Sequence, residues 1–409
     1  MKAAERFLNY VSVWTTSDET SETVPSTSRQ FDLAHKLVEE LKSIGVENAE
    51  CDEMCYVYAS LPATPGYEDR PAIGFVAHVD TAPDYSGKDI KPQIIENYDG
   101  KDVELGTSGK VLSVAEFPYL PSFKGRTLIT TDGTTLLGAD DKAGIAEIIT
   151  MVEEIINEDI PHGKICIGFT PDEEIARGAK NFNVDKFGAD FGFTLDGDSE
   201  GQIQFENFNA STAFFTIHGV NVHTGSAKNI LRNASLLAME INAMLPIERP
   251  ETTEGYEGFF HLVSINGNTE LTKMRYFIRD HHKDSYIHRQ ELLQSIADYM
   301  NKKYGEGVVE LEIVESYKNM REVIDECMHL VDNAKQAIVD TGLTVDVSPV
   351  DVSPVRGGTD GARLSFKGLP CPNLGTGGHA FHGPFEHITV EGMDAAVEIA
   401  KRIVQLYAK

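Results

Sequence analysis

Five acidic and histidine side chains lie just beyond the ends of predicted buried strands: His78, Asp80, Glu173, Glu174 and Asp196. In open α/β sheets, the carboxyl ends of parallel strands form the edge at which ligands bind. Carboxylate oxygens with one or two imidazoles suit Zn²⁺, Mn²⁺ or Co²⁺, whereas a soft metal site would need thiolates. The convergence of these residue types at one edge therefore favours a hydrolase with two metal ions over a set of solvated turns.

Two acidic pairs have both a chemical and a structural interpretation. Asp140-Asp141 precedes a predicted helix, and Asp141 suits the N-cap of that helix. One carboxylate of such a pair can also bridge two cations. Glu173-Glu174 suits an exposed acidic turn, or a division of roles in which one carboxylate binds metal and the other is the general base. These residues alone leave both interpretations open.

Strands and helices alternate through the first half of the chain and would position these side chains. The ranges 71–77, 164–170 and 191–195 are apolar and predict strands that are buried on both faces. The range 143–156 has apolar residues at helical spacing and predicts a helix, whereas residues 84–126 predict a long irregular segment. This alternation predicts an α/β domain with a mostly parallel sheet and helices on both faces.

A different pattern begins after about residue 207, and the α/β style returns at about residue 320. Between these points the elements follow the order strand–helix–strand–strand–helix–strand, which is the ferredoxin-like order. We therefore predict a catalytic domain of residues 1–207 and 320–409, interrupted by an inserted α+β, ferredoxin-like lid domain of residues 208–319.

Composition narrows the classes of partner. Among 409 residues, 36 are Lys or Arg and 64 are Asp or Glu, so the formal net charge is −28. Such a field repels phosphate groups, and we expect neither nucleic acid nor an anionic membrane as a partner. The five cysteines are scattered without a CxxC pair, and Glu5 and Arg6 interrupt the apolar stretch that a signal peptide needs. These features predict a cytoplasmic protein.

Eight segments between about residue 70 and the C-terminus resemble one enzyme family. They are PAIGFVAHVDTAPD, LITTDGTTLLGADDKAGIAEI, FTPDEEIARGAK, FENFNA, NVHTGSAKN, ETTEGYEGF, RGGTDGARLSFKGLPCPN and TGGHAFHGPFEHITVEGM. Taken in order, they resemble the di-zinc aminopeptidase and deacylase family that includes carboxypeptidase G and succinyl-diaminopimelate desuccinylase. The resemblance implies release of the N-terminal residue from short peptides, above all tripeptides. The alternative with the same fold is a deacylase or dipeptidase that acts on N-acyl amino acids or dipeptides.

The resemblance implies two zinc ions (Zn²⁺) per subunit and assigns their ligands. His78, Asp140 and Asp196 would hold one ion. Asp140, Glu174 and His382 would hold the other, so that Asp140 bridges the two. Two such cations lower the pKa of water and polarise a scissile carbonyl.

Catalytic roles are implied for side chains that bind no metal. Glu173 would take a proton from water and later deliver it to the leaving amine, and Asp80 would orient His78. His223, in the inserted domain, would donate to the developing oxyanion when the domains close. Without the resemblance, His223 fits a surface loop. A non-catalytic protein that binds metal and peptide is disfavoured, because it would have no need of Glu173.

Substrate-binding roles fall on two arginines. Arg279 and Arg356 are candidates for binding the C-terminal carboxylate of the peptide, because an arginine fork can make two hydrogen bonds to that group. A salt bridge to Asp280 or to a neighbouring residue is the structural alternative for Arg279. For the ammonium group of the substrate, Asp198 and Glu206 both remain candidates. Relatives often dimerise through the inserted domain, so a homodimer is an option, although the sequence contains no diagnostic interface stripe.

Three histidines near the C-terminus, His379, His382 and His387, compete for the last ligand position. Members of the di-zinc aminopeptidase and deacylase family commonly place the ligand histidine four residues before a glutamate. His382 and His387 both fit that spacing, and His379 does not. The relatives that the chain most resembles follow the ligand histidine with a glycine, as Gly383 follows His382. The resemblance therefore favours His382, with His379 lining the substrate pocket.

Overall fold

The computed structural model describes residues 1–348 and 359–409. The strands in these ranges are β1 (Glu50–Cys51), β2 (Val57–Leu61), β3 (Ile73–His78), β4 (Gln93–Ile95), β5 (Val103–Leu105), β6 (Lys110–Leu112), β7 (Leu128–Thr130), β8 (Ile165–Thr170), β9 (Phe191–Gly197), β10 (Gln202–Gln204), β11 (Asn209–His218), β12 (Phe259–Gly267), β13 (Leu271–Asp280), β14 (Val309–Tyr317), β15 (Asp346–Ser348), β16 (Asn373–Gly375), β17 (Gly378–His379) and β18 (His387–Thr389). The helices are α1 (Ala3–Val11), α2 (Gln30–Ser43), α3 (Ala139–Asn157), α4 (Val184–Phe187), α5 (Ala234–Ala243), α6 (Lys283–Tyr304), α7 (Arg321–Ile324), α8 (His329–Asp340), α9 (Asp360–Phe366) and α10 (Val390–Tyr407).

The chain divides into two compact units. Among the described residues, the first unit contains 1–205, 320–348 and 359–409, and the second contains 206–319. The first unit is built on an eight-stranded sheet with the order β1-β2-β8-β3-β9-β16-β10-β15. Strands β8, β3, β9 and β16 run parallel to their neighbours in this series, whereas β2 is antiparallel to β8 and β10 to β16.

Helices cover both faces of this sheet, as the sequence predicts. Helix α3 packs on β3 and β9, and α1 and α10 pack on α3. Helices α4 and α9 contribute to a core cluster that also contains Val76 and Cys166 from the sheet. Every residue of β3 and of β8 is buried, which explains their nearly uninterrupted apolar sequences.

Strand pairing brings the functional candidates to one edge of the sheet. His78, the last residue of β3, is paired with Thr170, the last residue of β8. Strand β9 lies on the other side of β3 and carries Asp196 near its end. A Cβ atom at Gly144 would lie 2.0 Å from the main-chain oxygen of Leu195, so only glycine lets α3 approach β9 this closely. The N-terminal turn of α3 therefore reaches the same edge.

One sequence prediction agrees with the structure and another needs revision in detail. Helix α3 is assigned to Ala139–Asn157, but Asp140 and Asp141 have non-helical backbone angles, so the regular helix follows Asp141, as predicted over 143–156. The segment 84–126, predicted as irregular, contains β4, β5 and β6, each of three residues. Strands this short contain too few residues to establish an alternating pattern, so the sequence does not reveal them.

The second unit has the predicted ferredoxin-like order, β11-α5-β12-β13-α6-β14. Its four strands form an antiparallel sheet in the spatial order β12-β13-β11-β14. Residues from α5 and α6 pack with this sheet in one buried apolar cluster, which includes Phe215, Leu237 and Leu293. Throughout residues 1–348 and 359–409, every helix is too short or too polar to span a bilayer.

Candidate metal centre

His78 occupies the middle of the site, where β3 ends. Its Nε2 atom lies 2.8 Å from Oδ1 of Asp140 and 3.4 Å from Oδ1 of Asp196. Its Nδ1 atom lies 3.0 Å from the main-chain oxygen of Asp80. The side chain is only 2% exposed, so the backbone contact at Nδ1 leaves Nε2 directed at the two carboxylates. We call His78, Asp140 and Asp196 the first metal group.

The other oxygen of Asp140 faces a second histidine. Nε2 of His382 lies 2.9 Å from Oδ2 of Asp140 and 3.2 Å from Oε2 of Glu174. Its Nδ1 atom lies 3.7 Å from Oδ2 of Asp84. We call Asp140, Glu174 and His382 the second metal group. The two groups share Asp140, whose two oxygens face different histidines, and this is the arrangement that a carboxylate bridging two cations requires.

Burial and neighbouring charges shift the pKa values of these side chains. Burial raises the pKa of Asp196 to about 7. Burial and the Asp140 carboxylate raise the pKa of Glu174 well above its usual value. Burial also opposes ionisation of Asp140, but its hydrogen bonds with His382 and His78 outweigh burial and lower the pKa of Asp140. A buried cluster of this kind is stabilised when cations neutralise its carboxylates, and its oxygen and imidazole donors fit divalent ions such as Zn²⁺ or Mn²⁺.

Among residues 1–348 and 359–409, two sets of three side chains are each close enough to hold a metal ion. In both, the ligand atoms all lie within 4.8 Å of one another, and both contain His78. One set adds Asp140 and Glu174, and the other adds Asp141 and Asp196. Asp141 has other partners, because its Oδ2 accepts the N–H of His78 at 3.1 Å and its Oδ1 accepts the N–H of Gly144 at 3.2 Å. Asp141 therefore serves the start of α3, and Asp140 is the better candidate ligand.

Asp80 contacts two parts of the site. Its Oδ1 atom lies 3.4 Å from Nδ1 of His78, in addition to the contact that its main-chain oxygen makes. The same carboxylate accepts the backbone N–H groups of Glu173 at 3.0 Å and of Glu174 at 3.2 Å. Asp80, which is fully buried, thus links the end of β3 to the turn that carries both glutamates.

Glu173 begins a short 3₁₀ turn after β8. Burial and the nearby Asp196 carboxylate raise the pKa of Glu173 well above its usual value. A carboxylate with a raised pKa is a stronger base, which suits a group that must accept a proton at neutral pH. The residue before Glu173 fixes this turn to an earlier part of the chain. The Asp172 carboxylate accepts the N–H of Ser26 at 2.7 Å and an N–H of the Gln30 side-chain amide at 2.7 Å.

His379 and His387 are not in contact with either metal group. Their rings stack with centroids 5.6 Å apart, and both rings pack against Tyr119 and Phe123. Burial lowers the pKa of His379 to about 3 and that of His387 to about 4. Of the three histidines at the C-terminus, the one beside Asp140 is His382.

Two of the remaining candidates belong to the second unit, and one lies outside the described residues. His223 is an exposed residue of the second unit, and its Nδ1 atom accepts the N–H of Gly225 at 3.2 Å.

Arg279 is also in the second unit and is 4% exposed, with Nη1 donating to the main-chain oxygens of Ser211 and Ile278. The salt bridge considered for Arg279 is absent from the described contacts, where Asp280 pairs with Arg289 at 2.7 Å. Arg356 lies outside the described residues.

Glu386 is a site residue whose role the sequence does not reveal. It is 1% exposed, and its carboxylate accepts backbone N–H groups from the turn that contains Asp140. The only sequence signal is its spacing of four residues after His382, which by itself gives no indication of a contact with a turn some 246 residues earlier.

Comparisons with known proteins bear on the family and the fold of this chain. Residues 128–406 match the sequence profile of peptidase family M20/M25/M40. Peptidase T of Alkaliphilus oremlandii is 52% identical over 409 residues, which cover 99% of each chain. The crystal structure of aminopeptidase PepT from Bacillus cereus has a TM-score of 0.78 at 22% identity and covers 100% of this chain and 98% of its own. A tripeptidase structure from Staphylococcus aureus has a TM-score of 0.76 at 20% identity, with the same coverage.

Proposed function

Because this chain belongs to peptidase family M20/M25/M40, we propose that it is a metal-dependent aminopeptidase that releases the N-terminal residue from tripeptides. The observation that carries the proposal is the position of Asp140 between His78 and His382, at 2.8 and 2.9 Å. The substrate class is supported by the similarity to peptidase T and to a protein described as a tripeptidase.

Two zinc ions per subunit are part of the proposal. His78, Asp140 and Asp196 would hold one ion, and Asp140, Glu174 and His382 would hold the other. When bound, the cations polarise the scissile carbonyl and make water more acidic. The donor set supports divalent zinc but also suits manganese and cobalt, so metal analysis of the purified protein decides the identity.

Glu173 is the proposed general base and acid. It takes the proton of the attacking water and returns that proton to the amine that leaves when the peptide bond breaks. Its position supports this role, because Asp80 holds its backbone N–H at 3.0 Å and burial beside Asp196 raises the pKa of Glu173. Asp80 is a positioning residue, since it orients His78 and the Glu173 turn together.

Three residues are proposed to contact the rest of the substrate. His223 donates a hydrogen bond to the developing oxyanion, and Arg279 and Arg356 bind the C-terminal carboxylate of the peptide. The buried guanidinium of Arg279 supports its role, because its Nε atom has no hydrogen-bond partner among the described residues. His223→Ala should lower turnover by roughly 10²–10³-fold, the scale for a lost oxyanion donor, with metal content retained. An unchanged turnover number would remove His223 from the mechanism.

A substrate panel tests the proposed function directly. Purified protein is incubated with dipeptides, tripeptides, tetrapeptides and N-acetyl amino acids, and metal is measured on the same sample. Preferential cleavage of tripeptides at the N-terminal bond is expected. Hydrolysis of N-acetyl amino acids or dipeptides without tripeptide cleavage would instead identify a deacylase or dipeptidase with the same metal groups.

We also propose a cytoplasmic location and a homodimer. The location is supported by the five cysteines, all of which are free thiols. Light scattering during size-exclusion chromatography measures the mass of the particle, and a mass equal to the 45.0 kDa chain would contradict the homodimer.

A further inference from the structure

One buried carboxylate connects the two loops that carry Asp140 and His382. Oε2 of Glu386 accepts the N–H groups of Leu137 at 2.7 Å and Gly138 at 3.0 Å. Oε1 accepts the N–H of Asp140 itself at 3.1 Å. Glu386 therefore binds the backbone of the turn from which the Asp140 carboxylate projects.

The same glutamate belongs to the loop that presents His382. Its own N–H donates to the main-chain oxygen of Gly383 at 3.3 Å, which closes a turn between the two residues. The next residue begins β18, which is anchored by antiparallel pairing with β7. Glu386 is thus fixed on one side by the sheet and on the other by the Asp140 turn, and His382 lies four residues before it in the same loop.

Both oxygens of Glu386 are occupied by backbone donors, so this side chain is suited to hold structure and not to bind a metal. The first metal group shares Asp140 but has further supports, because β3 and β9 hold His78 and Asp196 and Asp141 accepts the N–H of His78. In the second group, by contrast, Asp140 and His382 come from two separate segments, and Glu386 is a direct link between them. The second metal group should therefore depend on Glu386 more than the first does.

We propose that Glu386 is a positioning residue for the second metal group, which sets the affinity of that group for its metal without contacting the metal. The proposal rests on the dinuclear site proposed above. Residues that form hydrogen bonds with metal ligands, and so orient them, commonly lower the metal affinity by about 10–100-fold when they are removed. An effect confined to one of two neighbouring ions is the signature that distinguishes positioning from a general loss of stability.

Glu391 provides a matched control within the same segment. It follows His387 by four residues, as Glu386 follows His382, and its carboxylate also accepts a backbone N–H group, that of Thr127, at 2.9 and 3.1 Å. Glu391 is exposed and is not attached to the Asp140 turn. Glu391→Gln therefore makes the same chemical change to the same kind of contact, away from the candidate site.

The experiment compares zinc binding by the wild-type protein, Glu386→Gln and Glu391→Gln. Each protein is stripped with a chelator and titrated with zinc ion against a competing dye, and bound zinc is counted by mass spectrometry. The amide of Glu386→Gln keeps the length of the side chain but replaces one acceptor oxygen with a donor. We expect the first zinc to bind as in the wild type and the second to bind about 10–100-fold more weakly. Glu391→Gln should match the wild type at both positions.

Three results would overturn the proposal: an unchanged second affinity in Glu386→Gln, an equal loss of both ions, or the same selective loss in Glu391→Gln. If Glu386→Gln does not fold, Glu386→Asp keeps the charge, withdraws it by one methylene, and should show the same selective loss. A wild-type protein that binds two zinc ions but cleaves no tripeptide contradicts the proposed function and leaves this inference standing. A wild-type protein that binds only one zinc ion overturns this inference and the two-zinc part of the proposed function, whereas the substrate panel still decides the activity.

Discussion

Four histidines of the first unit occupy two contrasting environments. His78 and His382 face carboxylates, with Nε2 atoms 2.8 and 2.9 Å from the two oxygens of Asp140. His379 and His387 pack among aromatic rings, with their own centroids 5.6 Å apart. Nearby acids outweigh burial and raise the pKa of His78, whereas burial lowers the pKa of His379 to about 3 and that of His387 to about 4.

The difference teaches that the neighbours of an imidazole decide what it can do. Beside carboxylates, an imidazole nitrogen is held where a cation gains several ligands at once. Among aromatic rings, the same side chain remains neutral and contributes packing. We call the first environment the carboxylate region and the second the aromatic region. The predictions below test whether chemistry is confined to the former.

The largest effect should come from the general base of the carboxylate region. Glu173→Gln removes the group that accepts the proton, so turnover should fall by about 10²–10⁴-fold while both metals remain bound. Steady-state kinetics with a tripeptide and metal analysis on the same sample measure the two quantities. If Glu173→Gln loses one metal ion, the assignment is reversed: Glu173 is the metal ligand and Glu174 is the general base.

A control for this substitution is Glu147→Gln in α3. Glu147 is fully buried, and burial raises its pKa well above its usual value, as it does for the partly buried Glu173. Its two oxygens have no hydrogen-bond partner among the described residues, and it belongs to neither metal group. Turnover of Glu147→Gln should match the wild type. An equal fall in both variants would show that a buried acid with a raised pKa matters wherever it lies.

The next largest effect should be on metal content, when histidines of the two regions are replaced by alanine. His382→Ala removes a proposed ligand, so the protein should lose one metal ion, and the loss should be greater at low pH because protons compete for the remaining ligands. His379→Ala and His387→Ala should keep both ions. Metal stoichiometry of the three variants at two pH values is the measurement. If His382→Ala retains both ions and one of the others does not, the comparison between the regions is wrong.

The smallest effect is expected from the aromatic region and concerns stability. Burial lowers the pKa of His387 from 6.5 to about 4, so the unfolded chain binds a proton between these values and the folded protein does not. Stability is therefore lost as the pH falls from 6.5 towards 4, by about 2–3 kcal/mol for this one group. His387→Phe, which cannot be protonated, should lose less stability over that range.

Urea unfolding of metal-stripped wild type and His387→Phe at pH 7.5 and pH 5 measures this difference. Stripping removes the contribution of metal binding, which also depends on pH. Parallel losses of stability in the two proteins would show that His387 is not the titrating group.

Local patterns in the sequence are enough to place several residues correctly. His78 and Asp196 follow apolar runs, and parallel strands end at a common edge, so the rule for strand ends brings them to one place. The N-cap interpretation of Asp141 also agrees with the structure, in which it accepts the N–H of Gly144. In each case the informative neighbours lie within a few residues along the chain or within one sheet.

Contacts between loops that are far apart in the sequence could not be predicted from such local patterns. Asp140 and His382 are 242 residues apart, and only the resemblance to a known family brought them into one ligand set. The attachment of Glu386 to the Asp140 turn is equally distant, and a spacing of four residues after a histidine says nothing about it. His387-Glu391 has the same spacing, yet Glu391 binds Thr127.

The long separation of Asp140 from His382 has a consequence for folding. The second metal group brings Asp140 and Glu174 together with His382 from the last part of the chain, so it includes a contact of very high sequence separation. Such contacts close late, because a long loop must lose its conformational freedom before they form. A chain still emerging from the ribosome has no second metal group until His382 has been made. Capture of the second ion therefore reports that a segment from the last part of the chain has reached the Asp140 turn.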